Sequence, residues 1–515
     1  MNYQNSIRTS LVVVASGLFL SAAPSRAAET VKNPPNIILI YGDDVGYGDF
    51  SCYGATAVKT PNVDGLAAEG QRFTSAYATS ATCTPSRFSL LTGEYAFRQE
   101  SAKILPGDAN LIIRPGRETL PSMLRRAGYK TGIVGKWHLG LGDDNRALDW
   151  NSKIAPGPLE VGFDYSFIMA ATGDRVPCVY VEDHQVVGLM DSDPIEVSYQ
   201  KPFPGEIQGK MDREKLTMNW SHGHDDTVIH GISRIGHMKG GRSALWRDEE
   251  MAKVFASRAV GFIEREKGRP FFLYFATHGI HVPRVPHQEF LGKTGMGPRG
   301  DAIVEFDWCV GEIVKTLGRL ELLENTLIIL SSDNGPVLDD GYQDQAVEKC
   351  GDHIPAGPFR GGKYSLFEGG TRMPFITHWP DRIRPGVSNV LISQVDLLAS
   401  LAALVSTAFN AMDAPDSMNR LPDLLGEGKV GRESLVLHAK DLALRKGDWK
   451  FIPPGKTRDL LGPWKTVTIP EHGFLYDLAT DPGETKNLAA KQPAKLAELR
   501  SELDSIRKKT GAEPK

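Results

Sequence analysis

The sequence predicts an α/β protein: a large, mainly parallel sheet sandwiched by helices, followed by a smaller C-terminal α+β subdomain containing an antiparallel sheet. Three observations carry this expectation. Short continuous apolar runs, the pattern of strands buried on both faces, recur along the chain. Amphipathic helical patterns stand between them, and such alternation calls for crossover connections and a parallel sheet. After residue 425 the texture changes to closely spaced strands and one terminal helix.

Taken in order, the chain opens on residues 1–27, which read as a secretory signal. Arg8 supplies the positive start, residues 11–20 the short apolar core, and Ser25-Arg26-Ala27 a small-x-small cleavage site. The apolar run falls short of the ~20 residues a membrane span needs, so the expectation is export to the periplasm or beyond, without stable membrane insertion. Residues 28–425 form the expected main domain. Its clear strands are 36–41, 131–134, 271–276 and 326–331. Met251, Phe255, Ala259 and Phe262 recur at helical spacing before the third, with Asp248 placed as N-cap. Ile303, Phe306, Val310, Ile313 and Leu317 do the same before the fourth. Residues 143–247 lack such periodicity and read as long loops laid over the scaffold. Residues 426–515 form the expected C-terminal subdomain, ending in a helix striped by Leu496, Leu499, Leu503 and Ile506.

Composition narrows the function. The 515 residues carry 59 Lys+Arg against 63 Asp+Glu, a net charge of −4, with 41% hydrophobic and 24% charged residues. That is an ordinary globular balance, which excludes a disordered or fibrous chain. It also excludes a nucleic-acid or membrane binder held by bulk charge. Five cysteines are too few for a disulfide scaffold, and their odd number leaves at least one thiol to explain.

Ligands of open parallel sheets bind at the carboxyl ends of the strands, and all four clear strands end in reactive residues. The first runs into Asp43-Asp44 and the fourth into Asp333-Asn334-Gly335. Three carboxylates and an amide oxygen at matching positions suit a hard cation, Ca²⁺ or Mg²⁺, rather than zinc. The plainer reading is a pair of turns. The second strand ends in Gly135-Lys136-Trp137-His138 and the third in His278-Gly-Ile-His281. Beside a metal, such groups can hold an anionic substrate and move protons near neutral pH. Lys363, before Glu368-Gly-Gly, is a further candidate cation. The most specific feature is Cys83-Thr-Pro85-Ser86-Arg87, running into Leu91-Thr-Gly93. Pro85 suits a first helical turn, so Cys83 falls at a helix N-terminus with Arg87 one turn on. A disulfide half, a thiolate nucleophile and a precursor of another group all remain open on spacing alone.

That stretch resembles the signature of the type I, formylglycine-dependent sulfatases, an alkaline phosphatase-like family. The strand-end motifs around Asp43, Lys136, His281, Asp333 and Lys363 fall in the family's order. Leu475-Tyr-Asp-Leu and Asp481-Pro-Gly-Glu484 resemble its C-terminal subdomain. The resemblance implies an exported sulfuric ester hydrolase acting on sulfated carbohydrates. It implies that a maturation enzyme oxidises Cys83 to Cα-formylglycine, whose hydrated form is the nucleophile of a covalent sulfo-enzyme route. It implies one Ca²⁺ per chain, with Mg²⁺ second choice, held by Asp43, Asp44, Asp333, Asn334 and residue 83. Arg87 and Lys136 would hold that shell, Lys136 and Lys363 would offset sulfuryl charge, His138 would take the proton for sulfate release, and His281 would protonate the leaving oxygen. Substrate choice would lie within 143–247, where Gly173-Asp174-Arg175 and the run from Trp220 to Asp226 gather polar and aromatic groups. The competing readings are a phosphate or phosphonate ester hydrolase of the same fold, and a non-catalytic carbohydrate-binding relative with Cys83 unmodified. Sugar identity, endo or exo action, oligomeric state and the pairing of Cys52, Cys178, Cys309 and Cys350 stay open.

Overall fold

A computed structural model describes residues 34–143, 147–459 and 465–508. The expected signal segment, 1–27, lies outside the described residues. At the centre is a ten-stranded sheet made of β1 (Asn36–Gly42), β2 (Gln71–Phe73), β3 (Lys130–Lys136), β4 (Tyr165–Met169), β5 (Tyr180–Glu182), β6 (Gln185–Val186), β7 (Phe271–Ala276), β8 (Thr326–Ser332), β9 (Phe375–His378) and β10 (Gly386–Ser388). Their order across it is β10-β2-β9-β8-β1-β7-β3-β4-β5-β6. The four strands legible in the sequence are neighbours at its middle and all parallel, β8-β1-β7-β3. β4 extends the parallel set, while β9, β5 and β6 pair antiparallel. Every residue of β1, β7 and β8 is buried, as a sheet covered on both faces requires.

The cover is helical. α1 (Pro61–Glu69), α4 (Met251–Glu266) and α5 (Gly297–Arg319) pack together as one group. α2 (Cys83–Thr92), α3 (Leu120–Arg126) and α6 (Leu397–Leu404) pack as another. The periodic residues of α5 all face inward: Ile303, Phe306, Val310, Ile313 and Leu317 are buried in the main core with β1 and β8. Each such side chain removes enough apolar surface to stabilise by about 1.5–3 kcal/mol.

Two expectations are corrected. The stretch 143–247 is not all loop, since β4, β5 and β6 arise within it. These strands are short and sit among Gly and Pro, which hides them from periodicity. Asp248 does not cap α4. It begins a 3₁₀ turn ahead of the helix and accepts hydrogen bonds from Arg234 Nη2 at 2.7 Å and Trp246 Nε1 at 3.3 Å. The buried Arg234 charge claims the carboxylate more strongly than orphan helix amides do.

The C-terminal part builds a four-stranded antiparallel sheet, β11 (Ser434–His438), β12 (Leu442–Lys446), β13 (Trp449–Ile452) and β14 (Phe474–Asp477), in that order. Helix α7 (Pro493–Lys508) lays Leu499 and Leu503 into its core, with Leu496 and Ile506 packed at the edge. Each of the five cysteines is a free thiol, and Cys309 is buried in the main core. Among the described residues no helix is long and apolar enough to cross a membrane.

Candidate active site

The carboxyl ends of β1, β3, β7 and β8 converge at one edge of the sheet, and backbone hydrogen bonds lock them together. Asp43 N donates to Gly279 O at 3.0 Å, Ile280 N to Asp43 O at 2.8 Å, and Asp333 N to Gly42 O at 3.2 Å. Asp43, Asp44, Asp333 and Asn334 are thereby held with no solvent exposure. Gly335 has a structural reason to follow them: a Cβ there would lie 1.8 Å from Gly369 O. The Asp-Asn-Gly motif thus needs its glycine in order to pack against the backbone of Glu-Gly-Gly.

Helix α2 begins at Cys83, as its sequence predicts, and ends on Gly93 in the left-handed conformation. Cys83 is buried, and its Sγ lies with carboxylate oxygens of Asp43 and Asp333 in a group whose atoms are all within 4.8 Å of one another. Burial pushes its thiol pKa up, against the pull of Lys136 and Lys363. An unmodified thiol here is therefore a poor thiolate nucleophile.

Three buried cations surround the acids. Arg87 donates from Nε and Nη2 to Asp333 Oδ2 at 3.0 and 2.8 Å, and from Nη1 to the Lys136 carbonyl at 3.2 Å. Lys136 Nζ donates to Asp43 Oδ2. Lys363 Nζ lies 2.9 Å from Asp44 and 2.8 Å from Asp340 Oδ2. Burial raises the Asp43 pKa to about 8, with Asp333 adding to the effect over the opposition of Lys136 and Arg87. Burial also acts on Asp333, but Arg87, Lys136 and Lys363 hold its pKa below the usual carboxylate value. Asp43 Oδ1 and Asn334 Oδ1 are buried with no donor. Two such oxygens beside further carboxylates fit a hard cation, since leaving them unsatisfied is costly. Four acids, Asp340 included, face three side-chain cations, so a divalent ion turns the local charge positive, the sign an anionic ester requires.

The histidines divide by hydrogen bonding. His138, at positive φ, accepts Thr84 Oγ1 on its carbonyl at 3.0 Å, which ties it to the residue after Cys83. Its Nε2 lies 2.9 Å from Leu105 O, so that nitrogen carries the proton, and the buried Nδ1 has no partner. Burial and Lys136 drive its pKa well below the ordinary value, leaving a neutral ring with an available lone pair. His281 Nδ1 lies 2.7 Å from Val282 O, and its Nε2 is 3.8 Å from Asp44 Oδ2. Burial and Lys363 keep it neutral as well.

All ten sequence-derived site residues are therefore gathered at one edge. Sequence reasoning missed Asp340, which shares Lys363 with Asp44, and Tyr274, whose hydroxyl lies 3.5 Å from Arg87 Nη1. An acidic pair, Asp339-Asp340, soon after Asp333-Asn334-Gly335 is the signal available for the first; a strand-interior tyrosine gives none. At the rim, Asp174 Oδ2 meets His224 Nε2 at 2.8 Å and Arg175 Nη1 at 2.9 Å, which joins the two polar segments of the variable stretch.

A parallel sheet whose strand ends hold acids and cations around a helix-start cysteine defines a hydrolase of anionic esters. The comparisons sharpen that class. A model of the family described as Sulfatase matches residues 35–407. The chain is 49% identical to the N-acetylgalactosamine-6-O-sulfatase of Bacteroides thetaiotaomicron, covering 92% of this chain and 93% of that protein. It is 33% identical to arylsulfatase A of Homo sapiens, over 93% of this chain and 86% of that one. A solved structure concerned with the metabolism of multiple glycosaminoglycans by Bacteroides thetaiotaomicron superposes with a TM-score of 0.89 at 49% identity, covering 92% of this chain and 100% of that one. The chain belongs to the sulfatase family and is a sulfuric ester hydrolase.

Proposed function

We propose that this protein is an exported sulfatase that removes 6-O-sulfate from N-acetylgalactosamine units of sulfated glycans. The observation that carries the chemistry is Cys83 at a helix start, clustered with Asp43 and Asp333 and backed by Arg87, Lys136 and Lys363. The choice of sugar rests on the 49% identity to a protein named for that activity.

Asp43, Asp44, Asp333 and Asn334 would hold Ca²⁺, with residue 83 completing the set. When bound, that ion lowers the proton affinity of a nucleophilic hydroxyl and offsets charge on sulfate oxygens. Oxidised by a formylglycine-generating enzyme and hydrated, residue 83 offers one hydroxyl to attack and a second whose deprotonation releases sulfate, dividing one hard step into two. The chain's own residues supply the rest. Arg87 fixes Asp333 through a planar fork, so the acid keeps its orientation. Lys136 and Lys363 stabilise charge that grows on the transferring group. His138 takes a proton at Nδ1, because Nε2 is committed to Leu105 O. His281 delivers a proton from Nε2 to the leaving oxygen. An anionic ester alongside raises the ring's proton affinity, offsetting the burial that otherwise keeps it neutral. Asp174, Arg175 and His224, joined by hydrogen bonds, would read sugar hydroxyls.

The test is a panel of defined saccharides carrying 6-O-sulfate, 4-O-sulfate or phosphate on the same sugar. Sulfate release confined to the 6-O-sulfated amino sugar is the expected result. Phosphate release at a comparable kcat/KM would overturn the reading in favour of a phosphate ester hydrolase.

A further inference from the structure

A cleft opens beside the catalytic cluster, lined by Asp340, the partner of Lys363. It has a volume of about 940 Å³ and runs from Thr82 and Pro85, which flank the start of α2, to the C-terminal subdomain. There, residues 438–440 and a hairpin of Gly455–Arg458 with Thr466–Ile469 form the far wall. Lys103, Lys440 and Lys456 all line it, and all three are exposed. Among the described residues none of the three has a carboxylate at ion-pair distance, whereas the acid lining the cleft, Asp340, is already held by Lys363.

Nothing in folding calls for this grouping. Exposed, unpaired ammonium groups contribute little to stability, and like charges brought together repel. The whole chain carries −4, so a cationic opening also runs against the overall composition. Nor does sulfate handling use these lysines, because Arg87, Lys136 and Lys363 already lie buried in the catalytic cluster with Cys83. Lysine suits a mobile acidic chain, since a hydrated point charge accepts many geometries where an arginine fork selects one.

We propose that Lys103, Lys440 and Lys456 form an outer subsite for a second anionic group, carried by another sugar of the glycan chain whose sulfate is cleaved. This rests on the reading of the substrate as a sulfated saccharide. It deepens that reading by making an acidic oligosaccharide the preferred substrate over an isolated sulfated sugar. The shared chemistry is an oxyanion, either a uronate carboxylate or a further sulfate.

The experiment uses the matured full chain and a Lys440→Ala/Lys456→Ala variant. Each is assayed on a 6-O-sulfated amino sugar alone and on three oligosaccharides containing it. One oligosaccharide has a uronate neighbour, one a second sulfate, and one a neutral neighbour. Two exposed charge contacts correspond to about a tenfold effect. The expected result is that preference for at least one acidic oligosaccharide over the single sugar falls about tenfold in the variant, through KM. Added salt should erode the same preference in the parent enzyme. The arm that loses preference identifies the anion. Unchanged preference in both acidic arms, or an equal loss in the neutral arm, overturns the subsite while sulfate release leaves the sulfatase reading standing. Absence of sulfate release from every substrate by the parent enzyme would instead remove the reading beneath it.

Discussion

Arg87 has no solvent exposure, and its guanidinium connects Asp333, the Lys136 backbone and Tyr274 in a single plane. Lysine could keep its charge but not its fork. An Arg87→Lys enzyme should therefore fold but lose about 10²-fold in kcat, the scale of a misplaced reactive group. Steady-state kinetics beside a circular dichroism spectrum would check this. Lys363 makes a different demand, because its buried ammonium bridges the carboxylates of Asp44 and Asp340. Lys363→Ala should lower kcat about 10²–10³-fold with the fold retained, as expected on removing one donor to developing charge. An unchanged rate would sink its assigned role.

The sequence made the strand ends legible because each reactive residue directly follows an apolar run, as Asp43 follows β1 and Asp333 follows β8. What it hid was pairing between distant segments. The Glu368-Gly-Gly and Asp481-Pro-Gly-Glu484 motifs are recognisable separately, yet the structure joins them through Lys450 of β13. Its Nζ lies 2.9 Å from both Glu368 and Glu484, all three fully buried. Tyr77 and Arg372 also bond to Glu368, so the cluster fastens the antiparallel sheet to the loop that carries Lys363. No period or spacing predicts a contact across 82 residues of chain. The strands β4 and β5 were hidden for a related reason, since their runs are short and their partners set their conformation. Lys450→Met should leave the two buried acids facing each other without the cation that bridges them, Glu368 keeping Arg372 and Arg445. The expected cost is about 3–5 kcal/mol, read as a lower thermal midpoint and looser α7 amides in hydrogen exchange.

Across the whole molecule a mildly acidic chain builds a centre that attracts anions, which requires charge to be concentrated locally. An ion held at Asp43, Asp44, Asp333 and Asn334 binds only the folded state, so it should stabilise the protein by about 2.7 kcal/mol at a hundredfold excess over its Kd. Chelation should lower the thermal midpoint and calcium should restore it. No response of the midpoint to either would refute the site. Acid stability depends on a different buried group. Burial opposes ionisation of Asp49, but the bidentate Arg299 and His353 hold its pKa below the ordinary carboxylate value of 3.8. A depressed folded pKa contributes stability that is present above 3.8 and lost as pH falls below it. Asp49→Asn should therefore lower stability at neutral pH and flatten the fall below that value in acid titrations. The central claim remains that Cys83 is made into an aldehyde before it works. Mass spectrometry of the Cys83 peptide, from protein matured in its native host, tests this most directly. The account predicts formylglycine at that position; a peptide carrying only thiol or disulfide would contradict it.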